Sequence, residues 1–153
     1  MYMKSRSILI LGLVCTCLAL PAYPDGGDSS GNSRSSDYKQ AVKAIKNEDF
    51  SSAVSLLEKV VETDPDNADA WNQLGYSLRN LQQYDDALAA YDKALAIDPK
   101  HKGALEYLGE LFLMTDQPEL AQAQLEKLDD ACFLSCKEFR KLKKRIAAYK
   151  GGP

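Results

Sequence analysis

Residues 71–99 read WNQLGYSLRNLQQYDDALAAYDKALAIDP. Trp71, Leu74, Leu78 and Leu81 recur at helical spacing, Gln82-Gln83 interrupts, and Tyr84, Leu88, Tyr91 and Leu95 then recur at the same spacing. The pattern predicts two amphipathic helices joined by a short polar turn. Pro99 cannot continue the second helix and pre-sets the turn that follows. Gly75 and Ala87 supply the small side chains that let two antiparallel helices approach closely.

Shifting the chain by about 34 residues brings like positions together. Ala53, Ala87 and Ala121 coincide, as do Leu57, Tyr91 and Leu125, then Val60, Ala94 and Leu128, and also Ala41, Gly75 and Gly109. Phe50 falls on Tyr84, and Asp64-Pro65 recurs as Asp98-Pro99. Three copies follow, over 34–67, 68–101 and 102–135.

The run Trp71-x-x-Leu74-Gly75-x-x-Leu78, with Tyr84, Ala87, Tyr91, Ala94 and Pro99 at later offsets, resembles a tetratricopeptide repeat (TPR). Copy one departs at Asp37 and Gln40, where Tyr38 stands ready to supply the aromatic contact. Copy three keeps Leu105, Leu108 and Gly109 but has Pro118 for the aromatic and Phe133 for the closing Pro. The resemblance implies an all-α fold, a right-handed superhelix of helical hairpins whose concave groove is lined by the first helix of each pair.

Such a stack needs its end covered. Phe139, Leu142, Ile146 and Tyr149 form one apolar stripe behind the capping-box pattern Ser135-x-x-Glu138, so a capping helix is expected over 136–150. That helix carries Lys137, Arg140, Lys141, Lys143, Lys144, Arg145 and Lys150 against Glu138 alone, on an otherwise acidic chain. Most of this charge reads as a solvated face, although it could also steer an anionic partner, a membrane surface or a second copy.

The N-terminus differs in kind. Lys4 and Arg6 precede an uncharged run from Ile8 to Leu20 that ends at Pro21-Ala22, the layout of a secretory signal peptide over residues 1–22. The run falls short of the roughly 20 residues that span a bilayer, so no stable membrane insertion is expected after cleavage near Ala22 or Ala19. Residues 23–36 hold no large apolar side chain after Pro24 and read as a flexible linker, with structure beginning near Asp37. The leader implies a bacterial periplasmic or secreted location.

The chain has 22 acidic residues against 19 basic ones, which argues against a nucleic-acid partner. The one histidine, His101, reads as a solvent-exposed turn residue with no second group at triad or metal spacing. Asp85-Asp86, Asp129-Asp130 and Asp64-Pro-Asp66 read as solvated or helix-start carboxylates, without the glycine and glutamate of a calcium loop. No cofactor, metal or catalytic residue is expected. With the leader removed, Cys132 and Cys136 remain, and they are expected to form a structural disulfide between the third hairpin and the cap, with a thiol-redox pair as the alternative.

The resemblance carries the groove positions onto Tyr38, Val42 and Ile45, then Asn72, Tyr76 and Arg79, then Glu106, Glu110 and Leu113. The groove is thus expected to be apolar at one end and acidic at the other, fitting a protein or peptide with an apolar head and a basic tail. The clamp by which some members grip a chaperone's C-terminal carboxylate is not reproduced, because its places hold Tyr38, Val42, Gln73, Gly103 and Tyr107. The expected function is a protein-interaction scaffold that assists assembly of an envelope or exported complex, with the thiol-redox accessory as the alternative.

Overall fold

The computed structural model describes residues 29–150. Over them run seven helices and no strand: α1 (Ser29–Lys46), α2 (Phe50–Thr63), α3 (Ala68–Asn80), α4 (Tyr84–Ile97), α5 (Lys102–Met114), α6 (Pro118–Ala131) and α7 (Lys137–Ala148). The pairs α1/α2, α3/α4 and α5/α6 are the three hairpins, each packed on the next, and α7 lies against both α5 and α6.

The turn inside each hairpin is built alike. Glu48, Gln82 and Asp116 take left-handed backbone angles, with φ of 59°, 61° and 59°. The amide of the following residue reaches back across the helix end in every case: Asp49 N–H to Ala44 O (2.9 Å), Gln83 N–H to Leu78 O (3.0 Å) and Gln117 N–H to Phe112 O (2.8 Å). This is a Schellman closure made without glycine, and the same residues Asp49, Gln83 and Gln117 serve as N-caps of α2, α4 and α6.

Between hairpins, Asn67 caps α3 by accepting from Ala70 N (2.9 Å), and His101 caps α5 by accepting from Ala104 N at Nδ1 (3.0 Å). His101 Nε2 lies 3.0 Å from Asp69 Oδ1, and its side chain is 13% exposed. The expectation of a solvent-exposed turn histidine is therefore corrected. Because Nδ1 must offer its lone pair to the cap, the proton sits on Nε2 and is donated to Asp69, so one ring ties two repeats.

Three further corrections concern the ends. Helix α1 begins at Ser29, inside the stretch 23–36 expected to be a flexible linker, and Gln40 Nε2 donates to Ser36 Oγ at 3.0 Å on its exposed side. Once Ala41 and Tyr38 anchor α1 in the core, extending it upstream needs only propagation and no new nucleus, so poor helix formers can be carried along. The expected leader, 1–22, lies outside the described residues. At the other end Cys136, not Ser135, is the N-cap of α7, with no side-chain cap bond. Leu134 and Ser135 are both left-handed (φ 57°), which turns the Ser135 carbonyl to Arg140 Nη1 at 2.6 Å in place of the capping box. Asp129 and Asp130 are exposed, as solvated carboxylates, but they lie in the last turn of α6 and not at a helix start, so the dipole works against them.

Two close approaches explain the small residues. A Cβ on Gly75 would lie 2.7 Å from the Tyr91 ring, so α3 and α4 meet through that ring. A Cβ on Gly109 would lie 2.5 Å from Leu142, so the third copy's glycine receives the cap and not its own partner helix. Tyr91 and Leu142 are fully buried, and burial of a Leu-sized side chain contributes about 1.5–3 kcal/mol. The core accordingly divides into one cluster that runs from α1 to α5 and a second, around Leu105, Leu125 and Leu128 of the third hairpin, that Leu142 of α7 completes.

Candidate functional site

A concavity of about 470 Å³ opens where α3, α5 and α7 converge. Helix α3 presents Tyr76 and, one turn on, Arg79; α5 presents Glu106, Tyr107 and Glu110. The tyrosine rings meet at 5.0 Å between centroids, and the Arg79 guanidinium lies 5.4 Å from each, held between two aromatic faces. Phe50 of α2 backs Tyr76 edge-on at 6.0 Å.

Glu110 is the hub of the polar network. Its Oε2 accepts from Arg79 Nη1 at 2.6 Å and its Oε1 lies 2.6 Å from Arg145 Nε of the cap. Lys141 Nζ lies 3.2 Å from Glu106 Oε1. Both carboxylates are almost fully buried, at 3% exposure for Glu106 and 4% for Glu110, so each needs a paired cation to offset desolvation. Burial pushes the Glu106 carboxyl above its ordinary value, with the Lys141 ammonium pulling in the other direction. Burial likewise raises the Tyr107 phenol, and the Glu106 charge adds to it.

These contacts correct the expected groove. Glu106 and Glu110 do not form a free acidic end, because cap cations cover them. Asn72 is buried, 3.0 Å from where a Gly103 Cβ would stand, and Leu113 packs beside the cap-side cluster. Tyr38, Val42 and Ile45 are half-buried; Tyr38 and Ile45 pack against the main core, and none of the three lines the concavity around Tyr76. Of the expected positions, the structure brings together Tyr76, Arg79, Glu106 and Glu110.

Tyr107, Lys141, Lys144 and Arg145 line the same concavity and were not among the expected site residues. A signal for Lys144 was present: reading α7 as the first helix of a fourth copy aligns Phe139 with Leu105 and Trp71, and Lys144 with Glu110 and Tyr76. The cap is itself pinned at both ends. Cys132 and Cys136 stand as a pair with Cα atoms 5.5 Å apart, within disulfide range, and the Tyr149 hydroxyl donates to Asp116 in the turn before α6. Between the cysteines the loop displays Phe133 and Leu134, 91% and 84% exposed.

Family models described as tetratricopeptide repeat match residues 38–102 and 78–146. The chain belongs to the tetratricopeptide-repeat family. Among solved structures, the TPR2B domain of yeast Sti1 in its pHsp70 complex superposes with a TM-score of 0.71 at 15% identity, covering 78% of this chain and 99% of that one. The Yersinia enterocolitica type III secretion chaperone SycD, in complex with a peptide of the translocator YopD, gives 0.68 at 18% identity, covering 77% and 89%. The TPR fold is thus the all-α superhelix of stacked hairpins expected from the repeats. Among curated relatives, tetratricopeptide repeat protein 37 of Xenopus laevis is 32% identical over 84 residues, which is 55% of this chain and 5% of the relative. The peroxisomal targeting signal receptor of Kluyveromyces lactis is 38% identical over 53 residues, 35% of this chain and 9% of the receptor. The TPR chain therefore spans a small fraction of the length of these relatives. None of the helices among the described residues is long and apolar enough to cross a membrane.

Proposed function

We propose that this TPR protein is a non-catalytic scaffold that holds a peptide or an extended segment of a partner protein in the concavity between α3, α5 and α7. The observation that carries the reading is the partly buried pair Tyr76 and Tyr107 with Arg79 fixed between them. Aromatic and arginine side chains dominate interface energies, because they offer large contact area at a modest ordering cost. The yeast Sti1 and SycD structures, both complexes of a TPR fold with a peptide or protein, support the same use of this fold. With the leader read at residues 1–22, we place the protein in the periplasm or another secreted space, assisting assembly of an envelope or exported complex.

Capture of partners on the immobilised protein, compared with capture on Tyr76→Ala, tests the scaffold. Partners held by wild type and lost by the variant are expected; equal capture by both would remove the concavity from the account. The alternative, a thiol-redox accessory, rests on Cys136 at the N-cap of α7, where the helix dipole favours a thiolate. Against it stands the packing of Cys132 and Cys136 beside the cap-side core, which suits a structural tie. Disulfide-exchange activity abolished by Cys132→Ser would favour the redox reading.

A further inference from the structure

The cap helix does more than cover the third hairpin: it changes the sign of the groove. Around the concavity stand four cations, Arg79, Lys141, Lys144 and Arg145, against the two carboxylates Glu106 and Glu110. The carboxylates lie at the back, buried, and the cap cations stand in front of them, with side chains 60% exposed for Lys141 and 62% for Arg145. Each cation has donors to spare. Arg145 engages Glu110 through Nε, which leaves its two terminal nitrogens, and Lys141 has one carboxylate contact for three N–H groups. Among the described residues Lys144 has no ion-pair partner at all. The buried carboxylates thus hold Lys141 and Arg145 in place, and unpaired Lys144 lines the same concavity.

We infer that Lys141, Lys144 and Arg145 form an anion subsite at the cap end of the groove, taking the side-chain carboxylates of an acidic peptide segment whose neighbouring apolar residue rests on Tyr76 and Tyr107. This rests on the groove reading above and names the class of ligand. The charge excess rules the other way from the basic tail expected of the sequence, because a lysine-rich segment would meet cations with their counter-charges already taken. A peptide is favoured over a bilayer because the three cations face a concavity also walled by α3 and α5, which an extended chain can enter and a planar surface cannot. Lys143, by contrast, lies over the Phe139 ring at 5.6 Å, near the separate hollow between α6 and α7.

The test uses a fluorescein-labelled, C-terminally amidated peptide of one Trp, one Leu and four Glu residues, its counterpart with four Gln, and phosphatidylglycerol vesicles. Wild type is expected to bind the Glu peptide about tenfold more tightly than the Gln peptide at low salt, with the gap closing as salt rises. Lys144→Gln should remove most of that gap without shifting the melting temperature, and Lys143→Gln should leave it in place. Equal affinity for both peptides, with Tyr76→Ala still weakening each, would overturn the anion subsite while sparing the groove. Binding of neither peptide overturns it too, as does retention on the vesicles that Lys144→Gln abolishes and the Glu peptide fails to compete.

Discussion

At Gly109 a methyl group would stand 2.5 Å from a Leu142 methyl, and at Gly75 it would stand 2.7 Å from the Tyr91 ring. Alanine gains about 1 kcal/mol of helix propensity over glycine, while overpacking a closed contact costs about 1–3 kcal/mol, so the contact decides the sign. Gly75→Ala and Gly109→Ala should both lower stability in urea titrations, and Gly109→Ala should also loosen the cap, seen as faster amide exchange in α7. Unchanged midpoints in both would mean that the rings and methyls yield freely. Tyr91 poses the opposite case. Its hydroxyl is buried without a hydrogen-bond partner, and burial pushes its phenol far above the ordinary value. Tyr91→Phe removes an unsatisfied group and should leave the melting temperature equal or higher. The 34-residue alignment made the small positions readable in the sequence, but it offered a contact, within a hairpin, for Gly75 alone; that Gly109 receives the cap depends on where α7 docks.

At the scale of an element, the turns carry the testable features. Gln82 is exposed and left-handed, a conformation that costs a residue with a Cβ about 1–2 kcal/mol and glycine almost nothing. Gln82→Gly should therefore raise stability, reduced by the greater entropy that glycine loses on folding, and a fall in the thermal midpoint would contradict the Schellman closure. His101→Ala removes the cap of α5 and the link to Asp69, for a loss of about 1 kcal/mol. His101→Asn restores the cap alone and should recover most of it. The sequence showed where these turns fall through Asp98-Pro99 and Gln82-Gln83, yet gave no sign that the histidine caps a helix, because imidazole is not among the usual capping side chains.

The whole molecule is organised by the cap, whose Glu106–Lys141 pair loses stability as pH rises in two separate windows. Glu106 is raised above its ordinary value of 4.5 in the folded chain, so the folded state holds that proton longer and stability falls as pH rises above 4.5 through the folded value. Glu106→Gln should abolish this slope and be at least as stable as wild type at neutral pH, as read by thermal unfolding from pH 4 to 8. Lys141 is raised above 10.5, chiefly by its bond to Glu106; its contribution is present below 10.5 and lost as pH climbs through the folded value. A Glu106→Gln chain less stable than wild type at pH 7 would mean that the Lys141 pair outweighs the desolvation of the carboxylate.

The repeat period, the two helices of each hairpin, the small positions and the need for a cap were all determined by the sequence alone. These are local and nearest-neighbour properties, repeated until the pattern stands out from noise. Tertiary structure alone decided the character of the groove. Arg79, Glu110 and Arg145 are far apart in the chain, yet Glu110 meets each arginine at 2.6 Å, and the exposed charge at that place is what remains after the buried carboxylates are matched. A strip of aligned positions counts Glu106 and Glu110 as acidic surface; packing α7 over them buries their charge and leaves the cations outside.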